Sequence, residues 1–165
     1  MCGHGRFAQA LVGRFHNTFA YPYMLCYSVS AMSPREKVFG LALFFRALAD
    51  RTRLRLLNLI GDRDLCVCYL VEVLQISQPK ISRHLAYMRR SGLVAARREG
   101  KWMHYRVLIP ADPAAARLLR ETRQWLAQDR QMQRDRARLE KACCAPQKFV
   151  RLQGAPLPEQ PAHLQ

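Results

Sequence analysis

Apolar residues recur at helical spacing along most of the chain, but residues 1–31 show neither a helical nor a strand period. Two amphipathic patterns follow each other and predict helices over residues 34–48 and 51–60. Asp50 lies between them and suits the cap position of the second helix, because its side chain can accept a hydrogen bond from the first turn. We therefore expect a folded domain over residues 32–144, preceded by an extension of unknown role.

The next two predicted helices have the spacing of a helix-turn-helix unit. Residues 64–74 predict a short helix, residues 75–77 a turn, and residues 77–90 a longer helix that ends before Gly92. The apolar stripe of the longer helix consists of Ile81, Leu85 and Met88. Ser77 suits the N-cap position of this helix.

After Gly92 the pattern changes to two short strands around a turn at Glu99 and Gly100, which predicts a hairpin with a basic tip. A last helix is expected to begin near Asp112 and to run to about residue 142. Residues 145–165 are rich in proline and glutamine without a period, which predicts a disordered tail. The expected fold is mainly α-helical with one small β-hairpin.

Charge points to a polyanionic partner. The chain has 27 basic and 12 acidic residues, a net charge of +15, and eight basic residues against one acid lie within residues 77–106. Such a concentration on a helix and a hairpin favours double-stranded DNA. The helix residues expected to contact DNA are Ser77, Gln78, Lys80, Ser82 and Arg83, and the hairpin residues are Arg97, Arg98 and Lys101.

The cysteines fall into two close pairs, Cys66 with Cys68 and Cys143 with Cys144, besides Cys2 and Cys26, which receive no role. Such close pairs are unsuited to a disulfide framework and fit a reducing, cytoplasmic compartment and a soft-metal or redox site. If Cys66 and Cys68 lie on a helix, they point ~200° apart. Binding one atom with both sulfurs would then have to distort the first turn of that helix.

Several motifs together resemble the ArsR-type repressors of arsenical-resistance operons. They are the run FRALADRTRL from Phe45, DLCVCYL from Asp64, SQPKISRHLAYMRRSGLV from Ser77 and RREGKWMHYRV from Arg97, within residues 35–130. The resemblance implies a winged helix-turn-helix homodimer that binds operator DNA and is released when As(III) or Sb(III) binds Cys66 and Cys68, with no organic cofactor. It also implies a dimer interface built from residues 38–48 and 114–126.

Two positions depart from patterns within that family. A third cysteine follows the CVC motif by three residues in many arsenite-sensing members, and Val71 stands there in this chain. Cys143, Cys144 or a thiol of the other subunit is therefore a candidate for the third ligand. The zinc-binding type is disfavoured, because Pro113 and Ala114 follow Asp112 and no histidine lies on the last helix.

Two other function classes are considered, a redox-controlled repressor and a thiol enzyme. A repressor of the same fold whose thiols are oxidised is the main alternative. A thiol enzyme such as an arsenate reductase would need a phosphate-binding loop or a parallel-strand pattern beside Cys66, and the only glycine nearby is Gly61. No apolar run is long enough to span a membrane, so no membrane partner is expected.

Overall fold

The computed structural model describes residues 34–158, with side chains from residue 40 onward. The predicted extension over residues 1–31 lies outside them. The described elements are helices α1 (Pro34–Leu48) and α2 (Arg51–Ile60), strand β1 (Leu65–Cys66), helices α3 (Val67–Leu74) and α4 (Gln78–Arg90), strands β2 (Val94–Glu99) and β3 (Trp102–Val107), helices α5 (Pro113–Gln128) and α6 (Arg130–Cys144), and 3₁₀ turns at Pro146–Lys148 and Val150–Leu152. This mainly α-helical fold with a small antiparallel sheet confirms the predicted fold class.

Helices α1 and α2 have the bounds that their apolar periods predict. The Asp50 carboxylate accepts a hydrogen bond from the backbone N–H of Arg53 at 2.9 Å, so it caps the first turn of α2 as expected. Gly61 ends the helix with φ of +54°, a conformation that L side chains rarely adopt.

Helices α3 and α4, with the turn between them, form the predicted helix-turn-helix unit. Ile81, Leu85 and Met88 are buried and hold α4 against the core. Ser77 occupies the N-cap position, but its hydroxyl makes no capping hydrogen bond, and the side chain is exposed. Gln75 enters the turn with φ of +53°.

Strands β2 and β3 form the predicted hairpin, with Glu99 opposite Trp102 across a two-residue turn. Strand β1 was not predicted. It pairs with the other edge of β3, with Leu65 opposite Tyr105 and Cys66 opposite His104, so the strand order is β1-β3-β2.

The prediction of a helix over residues 64–74 was wrong at its start, because α3 begins only at Val67. The backbone of Cys66 is extended, with φ of −64° and ψ of 141°. The cause lies far away in sequence, since Leu65 and Cys66 take part in the β-ladder with β3 instead of a helical turn.

The predicted last helix is two helices. Asp129 is extended, and its carboxylate accepts a hydrogen bond from the backbone N–H of Met132 at 3.0 Å, so it caps a new helix. This break lets α6 pack against α2 and α3. The side chains that face inward from α6 are Met132, Asp135, Leu139 and Ala142.

The chain beyond α6 is also ordered as far as residue 158, which differs from the disordered tail predicted over residues 145–165. Leu152 is 1% exposed, and Phe149 packs against the same core. Arg151 lies against α3, with its guanidinium 3.9 Å from the Glu72 carboxylate. Two apolar side chains in a polar sequence are enough to hold this segment on the domain.

Candidate DNA interface and thiol pair

The exposed face of α4 carries the predicted groove contacts. Opposite the buried stripe, the exposed side chains are Ser77, Gln78, Lys80, Ser82 and Arg83. Among these, the Arg83 guanidinium makes only a long hydrogen bond to the carbonyl of Pro79, at 3.4 Å. The face therefore presents amide, hydroxyl and cationic donors at the N-terminal part of the helix, which is the part that reads base edges in helix-turn-helix proteins.

His84 lies on α4, next to the buried stripe of that helix. Its side chain is mostly buried, and Nδ1 lies 3.4 Å from the Asp50 carboxylate. Burial lowers the pKa of His84, while Asp50 acts in the opposite direction. His84 therefore belongs to the packing between α4 and the start of α2.

The three predicted wing contacts are exposed, but they differ in their partners. The Arg97 guanidinium bonds the carboxylates of Asp64, at 3.2 Å, and Glu99, at 2.8 Å. Arg98 donates to the carbonyl of Gly100 at 2.9 Å. Lys101 lies 4.9 Å from the centre of the Trp102 ring. Arg97 is thus engaged with β1 and with its own strand in this conformation.

Cys66 and Cys68 lie side by side, with their sulfurs 2.6 Å apart and unbonded. Cys66 is 1% exposed, and Cys68 is half-buried. Because Cys66 is on β1 and Cys68 is on α3, the two residues are not separated by a helical rotation. The expectation that a helix holds these thiols apart was therefore wrong, and no helical turn has to unwind to bring them together.

The contact between the two thiols makes their acidities unequal. The hydrogen bond between the two thiols, in which either can be the donor, stabilises a Cys66 thiolate and lowers the pKa of Cys66 to about 7, from 9.0. The pKa of Cys68 is raised, first by that same hydrogen bond and then by burial. One thiolate therefore forms near neutral pH, which is the protonation state that soft metals and oxidants attack.

The sequence did not single out Asp64 and His104, which lie beside the thiols. Asp64 and Cys66 are two residues apart on extended backbone and share a face, and His104 is opposite Cys66 on β3. His104 in turn lies opposite Arg97 on β2, and its Nδ1 is 4.0 Å from the Asp64 carboxylate. A strand predicted over residues 64–66 would have placed Asp64 on the same face as Cys66.

Buried polar atoms without a partner concentrate at the same place. Within residues 40–158, the buried side-chain atoms that lack a hydrogen bond are Asp64 Oδ1, Tyr69 Oη and His104 Nε2. Asp64 is two residues before Cys66, and Tyr69 directly follows Cys68. His104 is opposite Cys66 in the sheet. Since each such atom destabilises a fold by about 1–3 kcal/mol, their clustering is typical of a functional site.

The second cysteine pair is divided between the core and the surface. Cys143 is half-buried and packs against the core, whereas Cys144 is exposed. The pKa of Tyr69 is raised to about 12, mainly by burial and then by Cys143, Cys66 and Cys68, so three thiols act on one buried phenol. In the described part of the chain, however, no three cysteine, histidine or acidic side chains are arranged to hold a metal ion. The structure therefore does not bring the candidate third ligands together with Cys66 and Cys68.

None of the helices in residues 34–158 combines the length and the apolar character needed to cross a membrane.

Comparisons with known proteins agree with this geometry. The family model described as bacterial regulatory protein, arsR family, matches residues 50–96. The chain is 48% identical over 91 residues to the arsenical resistance operon repressor of Escherichia coli (strain K12), covering 54% of this chain and 75% of the relative. It is 45% identical over 89 residues to the arsenic resistance transcriptional regulator ArsR2 of Pseudomonas putida, covering 50% and 76%.

Among solved structures, HlyU from Vibrio cholerae N16961 aligns with a TM-score of 0.48 at 27% identity, covering 59% of this chain and 100% of that chain. The relatives are regulators of transcription, which confirms that the chain is a DNA-binding regulator and not an enzyme. With a relative of 48% identity matched over three quarters of its length and a helix-turn-helix followed by a basic hairpin, the chain belongs to the ArsR family of winged helix-turn-helix transcriptional repressors.

Proposed function

We propose that this chain is a cytoplasmic, homodimeric repressor of an arsenic-resistance operon, which leaves operator DNA when As(III) or Sb(III) binds Cys66 and Cys68. The observation that carries this proposal is the direct contact of the two sulfurs, 2.6 Å apart, immediately before the helix-turn-helix unit. Thiolates are the ligands that soft metalloids prefer. The names of the relatives from Escherichia coli and Pseudomonas putida give the choice of arsenic its support.

DNA binding is assigned to the exposed face of α4 and to the tip of the hairpin, within the domain over residues 32–144. Gln78 and Ser82 have no hydrogen-bond partner among the described residues, so they are available to base edges. Arg98 and Lys101 are assigned to phosphates of the adjacent backbone.

The dimer is assigned to α1 and α5. Both helices expose large apolar side chains in the single chain, namely Leu41, Phe45, Leu118 and Trp125, with Trp125 78% exposed. Isolated exposed apolar residues are common, but four on two helices form the kind of surface that a second copy covers. A two-fold dimer would present two recognition helices to a palindromic operator.

Two thiols complete the site for an organoarsenical, whereas As(III) takes a third. Cys143 is the favoured third ligand within the subunit, because it packs on the same core and acts on the Tyr69 phenol together with Cys66 and Cys68. Cys144 is exposed and is therefore the second choice.

Release follows from the geometry of bridging. An atom bound by both thiolates would join the end of β1 to the start of α3. Its bonding would fix the position of β1 relative to α3. Strand β1 carries Asp64, a partner of Arg97 in the wing, and α3 leads into α4, so both DNA-contacting elements would shift.

The test is an arsenite titration of the protein bound to a duplex from the region upstream of its own gene. The unaltered protein should release the duplex. Cys66→Ser and Cys68→Ser variants should bind the duplex and retain it at the same arsenite concentrations. X-ray absorption should count two or three sulfur neighbours per arsenic. Normal release by both variants would rule out this site.

A thiol-redox repressor is the second candidate, and the lowered pKa of Cys66 beside a second thiol favours it. Two thiols would lose two electrons and two protons to a peroxide and form one disulfide with two water molecules. DNA release by hydrogen peroxide but not by arsenite would support the thiol-redox repressor over the arsenite-responsive one.

A further inference from the structure

Helix α6 carries a row of cations that neither the core nor the thiol site uses. Arg130, Arg134, Arg138 and Lys141 are exposed, and none of them has a hydrogen-bond or ion-pair partner among the described residues. At 3.6 residues per turn they lie within an arc of about 80°, and at 1.5 Å per residue they extend over about 16 Å. We call these four residues the α6 basic stripe.

Helix stability does not account for the stripe. Arg130 and Arg134, and again Arg134 and Arg138, are like charges four residues apart, and each such pair destabilises a helix by roughly 0.2–0.5 kcal/mol. Arg130 also stands in the first turn, at the positive end of the helix dipole, where an acidic residue would be favourable. A surface helix that needed only solubility would alternate the signs of its charges.

The stripe is attached to the part of the molecule that meets DNA. The opposite face of α6 packs against α2 and α3, and α3 is the first helix of the helix-turn-helix unit. The chain that leaves α6 then lies against α3, where the Arg151 guanidinium is 3.3 Å from Oε1 of Gln75, the residue that opens the turn before α4. The segment that follows the stripe therefore contacts the turn that precedes the recognition helix.

From this arrangement we infer that the α6 basic stripe is a second DNA contact, which binds the phosphate backbone outside the groove that α4 occupies. A row of guanidinium and ammonium groups along one helix face is suited to a row of phosphates. Such a row does not distinguish one base from another. The stripe would raise affinity for any duplex. It would not change which sequence is preferred.

The experiment measures binding of a labelled random-sequence DNA duplex, about three helical turns long, as a function of potassium chloride concentration. For B-DNA the slope of log affinity against log salt changes by about 0.9 for each phosphate contact. In an Arg130→Gln/Arg134→Gln/Arg138→Gln variant the slope should fall by up to about 2.7 per protomer. An Arg130→Lys/Arg134→Lys/Arg138→Lys variant keeps the charges and should keep most of the slope.

Folding is checked by thermal denaturation, and the glutamine variant should be at least as stable as the unaltered protein because it loses two like-charge pairs. A glutamine variant that folds normally and keeps the full salt slope would overturn the inference. If that variant instead lost binding to phosphatidylserine vesicles with its DNA slope unchanged, the stripe would belong to a membrane surface and the DNA contact would be refuted. Neither DNA binding against salt nor vesicle binding involves arsenite. The outcome is therefore independent of the proposal that arsenite binds Cys66 and Cys68.

Discussion

Asp64 and Arg97 are 33 residues apart in the chain, yet two nitrogens of the Arg97 guanidinium lie 3.2 Å from one Asp64 oxygen. Asp64 is two residues before Cys66, and Arg97 is on β2 of the wing. This contact connects the segment that carries the thiols to the wing, which we propose contacts DNA. The β-ladder through His104 is a second connection between them.

An Asp64→Asn variant should uncouple arsenite binding from DNA release. Typical couplings change affinity by a factor on the order of 5–150, and the variant's factor should lie closer to one, because the charge that holds Arg97 is gone. Operator affinity without arsenite should rise somewhat, since Arg97 loses one of the carboxylates that compete with phosphate. Fluorescence anisotropy with and without arsenite measures both quantities.

Glu99→Gln is the matched control for that variant, because it removes the other carboxylate of Arg97 while leaving β1 joined to the wing. Release should be near normal in this control. If Asp64→Asn bound arsenite normally and released DNA as well as the unaltered protein, the proposed connection would be wrong.

The lowered pKa of Cys66 predicts a specific pH dependence. The thiolate should form with a midpoint near pH 7, so its contribution to stability is complete above pH 9 and is lost as the pH falls through about 7. The rate of arsenite binding should rise as the pH rises through the same window, because the thiolate is the attacking nucleophile. Ultraviolet thiolate absorbance, followed against pH, measures the midpoint.

A Cys68→Ala variant removes the thiol that hydrogen-bonds Cys66 and leaves burial, which raises the pKa, so the Cys66 midpoint should move upward. An unchanged midpoint in this variant would show that some group other than Cys68 lowers the pKa.

The neighbouring thiols Cys143 and Cys144 allow a matched test of the third ligand. Cys143→Ser should weaken arsenite binding, because its half-buried sulfur lies on the core that holds Cys66 and Cys68. Cys144→Ser should have little effect. Isothermal titration calorimetry gives both dissociation constants, and equal values for the two variants would exclude Cys143 as a ligand within the subunit.

Trp125 provides the test of the dimer. A Trp125→Glu substitution places a charge on the exposed apolar surface of α5 and should convert the dimer to a monomer in sedimentation experiments. Ile109→Glu is the control, because Ile109 is 77% exposed but lies before α5, away from both helices of the proposed interface. Dimers that persist in Trp125→Glu would assign the interface elsewhere.

The buried pair of Arg55 and Asp135 should be important for stability. The Asp135 side chain is fully buried and accepts two hydrogen bonds from the Arg55 guanidinium, at 2.6 and 2.8 Å. Asp135→Ala leaves that guanidinium without its partner and should lower the free energy of unfolding by about 3 kcal/mol. Asp62→Ala breaks an exposed pair with Arg123 and should cost less than about 1 kcal/mol. Urea denaturation compares the two, and equal losses would contradict a structural role for the buried pair.

The sequence predicted those features that strong local patterns determine. Ile81, Leu85 and Met88 recur at helical spacing, and all three are buried. Gly100 sits at the tip of the hairpin with φ of +56°, as a tight turn requires. The exposure of the predicted DNA contacts follows from the same period, because the buried stripe leaves the opposite face of α4 to solvent.

The features that were missed depend on non-local contacts or on single polar residues. Strand β1 has two residues, which is too short for any period, and its partner lies about forty residues later on β3. The break at Asp129 has neither glycine nor proline beside it and rests on one capping hydrogen bond. The position of Cys66 on a strand therefore could not be read from DLCVCYL alone.

The break at Asp129 also has a consequence for how far the chain can be shortened. Because α6 turns back onto α2 and α3, it supplies Asp135 to Arg55 and covers buried leucines of the helix-turn-helix domain. A chain shortened to residue 128 would retain the DNA contacts predicted on α4 and the hairpin, yet it would expose that apolar surface and leave the Arg55 guanidinium without its buried partner. We therefore expect a stable piece of this protein to extend to Leu152, beyond the helix that follows the wing.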